Sequence, residues 1–283
     1  MTEPAAQDAL VVQAYGGERH LQRARFTVLT FQHYALRAAA PPRVLAYSDQ
    51  PALFAGLGDN VRVVAVDDER LRAWRGAIDF VHRVKLEVLL DAFGCGVTRL
   101  LYVDGDTYFR VDPATLFARI RPGYPLMRVS EGPFSNRRSG VQRKMHDFVR
   151  RQSFRLPDGE TVRLSEHTEM WDAGVIGLHA ADAPLLRRAL ALTDAMYPLF
   201  NKHVIEQVAV SHVLQTRTVL APVGDDVFHY WKHAHEIDPR LARFFAEHAD
   251  LALPALAGAA YALQPTGTGR RRRWWQRLLR VGR

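Results

Sequence analysis

The sequence predicts an α/β protein built on a mostly parallel sheet with helices on both faces. Short, uninterrupted apolar runs alternate with longer segments in which apolar residues recur at helical spacing. Strands that are apolar along their whole length are typical of parallel sheets that are buried on both sides. The 283 residues are 48% apolar and 24% charged, which is ordinary for a globular protein of one large or two small domains. We expect residues 1–252 to form one domain.

The first half of the chain carries the clearest alternation. Its expected strands cover 9–15, 43–48, 61–66 and 99–103. Gly16-Gly17 closes the first strand with a turn, and a helix follows over 18–38, where neither Gly nor Pro occurs. A short helical stretch is expected around Leu53. Asp67-Asp68 supplies an N-cap and an acidic first turn for a long helix that continues to Phe93.

The second half is less regular. Residues 131–170 are polar and rich in Arg, Gly and Ser, which predicts a long excursion from the sheet. A strand over 174–178, helices near 183–197 and 204–215 and a strand over 218–221 are expected next. Residues 253–269 are rich in Ala, Gly and Pro, and we expect a linker there.

Composition and charge exclude several classes of protein. The single cysteine, Cys95, excludes an internal disulfide framework and a multi-cysteine zinc or iron–sulfur site. The net charge is +8, but residues 270–283 hold seven arginines and no acid, so the rest of the chain carries only +1. A nearly neutral body argues against nucleic acid as a partner. No apolar run is long enough to span a membrane and no signal peptide opens the chain, so we expect a cytoplasmic protein.

The basic end predicts where the protein works. On a helical wheel of 270–283, Trp274, Trp275 and Leu278 share one side with Leu279 and Val281, opposite most of the arginines. A basic face opposite Trp and Leu is typical of a helix that lies on an anionic membrane surface. We therefore expect a peripheral protein at the inner face of the cell membrane. A disordered basic end is the alternative.

The strongest chemical motif is an acidic turn directly after the strand over 99–103. Asp104 and Asp106 lie two residues apart, and Gly105 between them permits a close backbone approach. Ligands bind beyond the carboxyl ends of strands in open parallel sheets. Two such carboxylates leave room for a hard cation, Mg²⁺ or Mn²⁺, and for phosphate oxygens. A solvated Asp-Gly turn is the alternative.

Residues 100–117 (LLYVDGDTYFRVDPATLF) resemble the Asp-x-Asp segment of GT-A glycosyltransferases, most closely the family 8-like nucleotide-sugar transferases. Further segments are similar to that family in the same order, so that the resemblance spans about 9–235. These segments are 11–17 (VVQAYGG), 83–85 (RVK), 171–175 (WDAGV), 201–208 (NKHVIEQV) and 228–230 (FHY).

The resemblance implies a fold, a metal site and a donor. Asp104 and Asp106, with His229 as the third ligand, would hold Mn²⁺ or Mg²⁺ on the diphosphate of a UDP-sugar, with Gly105 against the donor. The neighbouring His233, His235 and Glu236 leave the third ligand open.

The same resemblance implies roles for other residues. Arg83 or Lys85 would add positive charge near the phosphates, and Tyr15 would border or stack on the uracil. Asp172 and Glu206-Gln207 would line the sugar pocket. In GT-A folds the region before the Asp-Ala-Gly strand contributes to acceptor binding, so the basic segment 131–170 would suit a phosphorylated or acidic glycan. A solvated surface loop is the alternative.

Several departures from the family pattern leave the reaction partly open. Asp172 replaces the family's Asn, Glu206 replaces its Asp, and the Lys-Pro-Trp after the metal histidine is absent. The resemblance implies transfer to a glycan or lipid-linked acceptor with retention. If Asp172 or Glu206 is a general base, the reaction inverts instead. A sugar nucleotidyltransferase and a catalytically inactive membrane-associated binding protein are the alternatives.

Overall fold

The computed structural model of the protein describes residues 7–136 and 139–264. Its strands are β1 Asp8–Ala14, β2 Arg43–Ser48, β3 Val61–Ala65, β4 Arg99–Val103, β5 Thr107–Phe109, β6 Leu126–Met127, β7 Ser130–Pro133, β8 Phe154–Arg155, β9 Thr161–Val162, β10 Glu169–Trp171, β11 Val175–His179, β12 Ala221–Pro222 and β13 Val227–His229. Its helices are α1 Glu18–Ala35, α2 Asp68–Arg75, α3 Arg83–Gly94, α4 Ala114–Phe117, α5 Gly140–Val149, α6 Ala183–Met196, α7 Ile205–Arg217, α8 Ala234–Glu247 and α9 Leu253–Leu263. Among these helices, none has the length and apolar character needed to cross a membrane.

A seven-stranded sheet of order β12-β6-β11-β4-β1-β2-β3 forms the centre of the molecule. All neighbouring pairs are parallel except those of β11, which runs antiparallel to β4 and β6. The predicted α/β class with a mostly parallel sheet is therefore confirmed.

Alternate side chains of the central strands explain why helices cover both faces. On β1, Ala9 and Val11 point into one apolar cluster while Leu10 and Val12 point into the other. The first cluster is completed by α3, α6 and α7, and the second by α1, α8 and α9. A strand buried on both faces must be apolar at every position, which is the pattern that the sequence shows.

Strand directions bring distant segments to one edge of the sheet. Strands β1, β4 and β6 run the same way, so Tyr15, Asp104 and Arg128 follow their carboxyl ends at the same edge. Strand β11 runs the opposite way, and its first residues, after Asp172, begin at that edge. The acidic motif is therefore joined there by residues more than sixty positions away.

The long helix expected over 67–93 is wrong, although its N-cap is confirmed. The Asp67 side chain accepts a hydrogen bond from the Arg70 amide at 2.7 Å and begins α2. The helix ends at Gly76, whose φ of 65° breaks the helical backbone, and α3 begins only at Arg83. The intervening segment carries His82 to the carboxyl edge of the sheet.

The linker expected over 253–269 is wrong for residues 253–263, which form α9 and pack against α1. Ala257 and Ala260 are buried, and the Tyr261 ring stacks on His33 at 4.0 Å. The alanines that suggested a flexible linker are strong helix formers, and their small side chains permit close helix packing. The folded domain thus extends past the expected boundary at 252. The predicted membrane-surface tail, 270–283, lies outside the described residues.

The excursion over 131–170 is ordered structure within its described residues, so a purely solvated surface loop is wrong. It contains β7, α5, β8, β9 and β10, and Ser139 and Gln142 form a capping box at the start of α5. Phe134, Met145 and Phe154 are buried in the same cluster as the core of α3. These apolar residues are spread among polar ones, which hides their periodicity.

The contact between α9 and α1 can be tested by placing a charge in it. We expect Ala260→Glu to lower the free energy of unfolding by roughly 2 kcal/mol or more, because the carboxylate would be buried without a partner. Ala262→Glu is the matched control, since Ala262 is exposed on the same helix. Urea denaturation curves measure both variants, and equal midpoints would contradict the packed position of α9.

Candidate metal site and flanking cavities

Asp104, Asp106 and His229 form a cluster suited to a divalent cation. One ligand atom from each lies within 4.8 Å of the others. The His229 Nε2 atom is 3.1 Å from Asp106 Oδ1 and 3.8 Å from Asp104 Oδ2. Two carboxylates and one imidazole are a donor set that Mn²⁺ or Mg²⁺ accepts, while the absence of thiolates makes a softer metal a poorer match.

A small antiparallel pair holds His229 over the acidic turn. Strand β5 follows the motif directly and pairs with β13, in the register His229 opposite Thr107. The Tyr230 amide also donates to the Asp106 carbonyl at 3.0 Å. Of the candidate third ligands, His229 is the one that this pairing brings to the two aspartates, while His233 and His235 lie beside Glu236 at 3.6 Å.

Asp172 orients the imidazole of His229 from the other side. Its carboxylate lies 3.1 Å from His229 Nδ1 and accepts hydrogen bonds from the Gly174 amide at 2.8 Å and Arg128 Nη1 at 2.9 Å. A carboxylate on the far nitrogen fixes which ring nitrogen faces a metal. Asp172 is thus placed to orient His229, and the hydrogen bonds that both of its oxygens accept argue against the expected role as a general base.

Charge in this cluster is closely balanced. Burial on its own disfavours the imidazolium, but the hydrogen bonds to Asp106 and Asp172 outweigh it and raise the pKa of His229 to about 10. Although burial opposes ionisation, the hydrogen bond with His229 and the neighbouring Gly174 amide and Arg128 hold the pKa of Asp172 well below its usual range. Without a metal, the proton on His229 compensates the carboxylates around it.

Gly174 leaves the space that the imidazole occupies. A Cβ built on Gly174 would overlap His229 Nδ1 and come within 2.9 Å of Asp172 Oδ1. Any side chain at this position must therefore displace the histidine. The Asp-Ala-Gly segment owes its glycine to this contact, since its backbone conformation is not one that only glycine adopts.

The buried Lys85 forms an ion pair with Asp104. Its Nζ lies 3.2 Å from Asp104 Oδ1 and 3.8 Å from Glu206 Oε1, and it donates to the Ala173 carbonyl at 3.2 Å. Burial opposes the ammonium charge, but Asp104 and Glu206 raise the pKa of Lys85 overall. Burial also raises the pKa of Glu206 to about 7, in spite of the nearby ammonium. Glu206 is only 2% exposed, so it holds Lys85 and does not line a sugar pocket as expected.

Arg83 does not belong to the site, which corrects the expectation of a donor-binding role. Its guanidinium pairs with Asp194 at 2.7 Å and Glu87 at 2.8 Å and donates to the Trp74 carbonyl. Side chains two positions apart in an α-helix are rotated by about 200° around the helix axis. Arg83 and Lys85 therefore point to opposite sides of α3.

Two cavities flank the cluster of Asp104, Asp106 and His229. Asp104, Asp106 and His82 border both cavities. The Tyr15 cavity, of about 530 Å³, also has walls from Gln13, Tyr15, Gly16, Arg23, Lys85 and Gly105. The Glu131 cavity, of about 570 Å³, also has walls from Glu131, Gln142, Asp172, Gln207, His229 and Trp231. Each is large enough for a ligand the size of a nucleoside or a sugar.

The Tyr15 cavity is the more cationic of the two. Lys85 and Arg23 lie at its base, with one Arg23 nitrogen 3.8 Å from Asp106 Oδ2, and Arg75 adds a third cation at its wall. Burial raises the pKa of Tyr15 well above its usual range, which keeps the phenol neutral. Neutral aromatic and cationic groups together suit a base linked to a diphosphate.

Hydrogen-bonding side chains and one exposed aromatic ring line the Glu131 cavity. Gln207 Nε2 donates to Glu131 Oε2 at 3.1 Å. Trp231 is 52% exposed, and Lys232 Nζ lies 5.0 Å from the centre of its ring. Burial, with Lys85 nearby, lowers the pKa of His82 to about 4, so this residue between the cavities is neutral at pH 7.

Sequence reasoning missed Arg23, His82, Glu131 and Trp231. Glu131 follows β6, an apolar pair of two residues that is too short to be recognised as a strand. Arg23 lies on the expected first helix, where a solvated arginine is the default. No local pattern marks Arg23 or His82, whereas Glu131 and Trp231 lie within a few residues of the carboxyl ends of β6 and β13.

Comparison of the chain with known protein families and with curated proteins found no match in either. The resemblance of its motifs to the GT-A transferases therefore stays a prediction.

The overlap at Gly174 predicts a selective loss of metal affinity. We expect Gly174→Ala to weaken Mn²⁺ binding about 10- to 100-fold, because the methyl group displaces His229 from the cluster. Isothermal titration calorimetry measures the affinity. Gly94→Ala is the control, since a Cβ there meets nothing within 4 Å. Unchanged Mn²⁺ affinity in folded Gly174→Ala protein would show that His229 is not a ligand.

Proposed function

We propose that the protein is a divalent-metal-dependent glycosyltransferase that moves a sugar from a nucleotide-diphosphate donor, a UDP-sugar, to a glycan or lipid-linked acceptor. The observation that carries the proposal is the cluster of Asp104, Asp106 and His229, because both aspartates border the two cavities and His229 borders the Glu131 cavity. This arrangement would serve a reaction that joins two substrates with loss of a charged leaving group, since it offers one site for each substrate and a place for a cation between them.

The Tyr15 cavity is the proposed donor site. Tyr15 at the end of β1 would border the base, while Lys85, Arg23 and Arg75 would neutralise phosphate oxygens. A Cβ added at Gly105 would lie 3.5 Å from Ala24 of α1, so the acidic turn lies close to this helix and presents bare backbone there. When bound, Mn²⁺ or Mg²⁺ stabilises the negative charge that develops on the leaving diphosphate.

The Glu131 cavity is the proposed place for the transferred sugar and the acceptor. Glu131 and Gln207 offer both a hydrogen-bond acceptor and a donor to hydroxyl groups. An exposed Trp such as Trp231 can stack on the apolar face of a sugar ring. Lys232 beside it favours an acceptor that carries negative charge, such as a phosphorylated or acidic glycan.

The basic end supports a peripheral location at the inner face of the cell membrane. Helix α1 runs from the edge that carries the cavities to the opposite edge, and Tyr261 of α9 stacks near its far end, on His33. The described chain therefore ends away from the cavities. A tail over 270–283 bound to anionic lipid would not have to cover them.

Donor turnover tests the proposed chemistry. The protein is incubated with UDP- and GDP-sugars, with and without Mn²⁺, and nucleoside diphosphate release is measured. We expect metal-dependent release that falls on the order of 100-fold or more in Asp104→Asn and Asp106→Asn, because each loses a charged ligand.

Asp59→Asn is the matched control. Asp59 is exposed and lies outside the Asp104–Asp106 motif, so this change should leave release unchanged. Release of pyrophosphate instead would identify a sugar nucleotidyltransferase. Absence of turnover with every donor would favour a binding protein without catalysis.

Membrane association is tested with vesicles. We expect the full chain to sediment with vesicles that contain anionic lipid, and a chain truncated after Gly269 to remain in the supernatant, because the truncation removes seven arginines and both adjacent tryptophans. Neutral vesicles are the control. Equal sedimentation of the truncated chain would contradict a role for the tail.

A further inference from the structure

We propose that Glu131 is the general base that takes the proton from the acceptor hydroxyl, so that the transfer inverts the configuration of the sugar. This inference rests on the proposed function and adds to it the residue that activates the acceptor. It replaces the retention that the family resemblance implies.

Both the backbone and the side chain of Glu131 are fixed. It lies in β7, which pairs with β10, and its carbonyl accepts a hydrogen bond from Gln142 Nε2 at 3.1 Å. Its carboxylate oxygen Oε2 accepts from Gln207 at 3.1 Å. Within 7–136 and 139–264 no donor reaches Oε1, which leaves this oxygen for a hydroxyl group in the cavity.

The other acids of the site have different tasks. Asp104 and Asp106 belong to the metal cluster. Asp172 is held through both oxygens by His229, Arg128 and the Gly174 amide. Glu206 is buried beneath the cavity against Lys85. Among the described residues, Glu131 is the one carboxylate that lines the Glu131 cavity, has no ion-pair partner and is not one of the proposed metal ligands.

The surroundings of Glu131 support its basicity. The groups that face it are the Asp172 carboxylate, the Gln207 amide, the Lys232 ammonium and the Arg128 guanidinium. Burial, followed by the negative charge of Asp172, raises the pKa of Glu131 above its ordinary value, although the amide and the two cations oppose this. A carboxylate with a raised pKa accepts a proton more readily than an exposed one.

The step is a single displacement. The acceptor oxygen forms a bond to the anomeric carbon as its proton passes to Glu131 Oε1. The bond from the anomeric carbon to the diphosphate oxygen breaks, and its electron pair leaves with the nucleoside diphosphate. Attack from the Glu131 cavity on a donor held from the Tyr15 side places the nucleophile and the leaving group on opposite faces of the sugar.

Water and azide serve as test acceptors, since both are small and only water must lose a proton. Donor turnover is measured with Mn²⁺ and the UDP-sugar that gives most release. We expect Glu131→Gln to lower release with water about 100-fold or more and sodium azide to restore it, because azide is already an anion. Proton NMR should show a β-configured sugar and glycosyl azide from an α-linked donor.

Glu131→Asp, which keeps a shorter base, should retain part of the release with water. Glu69→Gln, an exposed change on α2, is the matched control. Melting temperature and Mn²⁺ affinity confirm that each variant is folded and keeps its metal site.

Three results would overturn the inference while leaving the transferase intact: α-configured products, full release with water in Glu131→Gln, or no rescue of that variant by azide. Failure of the wild-type chain to release nucleoside diphosphate with any donor would overturn the proposed function, and the inference with it.

Discussion

The imidazole of His229 is hydrogen-bonded through both ring nitrogens, Nε2 to Asp106 and Nδ1 to Asp172. Asp106 belongs to the turn after the central strand β4, while Asp172 precedes β11 and His229 ends β13. Three segments far apart in the chain therefore meet at one ring. Gly174 must lack a side chain for the ring to fit, and Arg128 must balance Asp172. The local sequence of each segment is explained by this contact.

Environment divides the acids of the site into separate roles. Asp104 and Asp106 share a small space with an imidazole, which is an arrangement suited to a divalent cation. Asp172 is strongly acidic because it accepts bonds from His229, Gly174 and Arg128, and Glu206 is pushed the other way by burial. Glu131 combines partial burial with access to a cavity. Carboxylates of the same chemical type thus differ in charge and in access to solvent because of what surrounds them, and the roles proposed for them differ accordingly.

The parallel sheet, the Asp-x-Asp turn and the approach of His229 to that turn could be predicted from the sequence because each depends on local pattern or on a recognisable motif. The rest depends on tertiary packing. Arg83 and Lys85 are neighbours in sequence, and only the orientation of α3 decides which enters the site. The break at Gly76 and the packing of α9 arise from contacts that no periodicity reports. Glu131 becomes notable only when the short strand β7, paired with β10, places it beside Gln207.

The proposed function depends on one cation held by Asp104, Asp106 and His229 between two substrate cavities. Crystals grown with Mn²⁺ and UDP test it directly through anomalous scattering at the manganese edge. We expect one strong peak bound by those three side chains, with the diphosphate beside Lys85 and the uracil beside Tyr15. A peak bound by other residues, or UDP bound without manganese at the cluster, would contradict it.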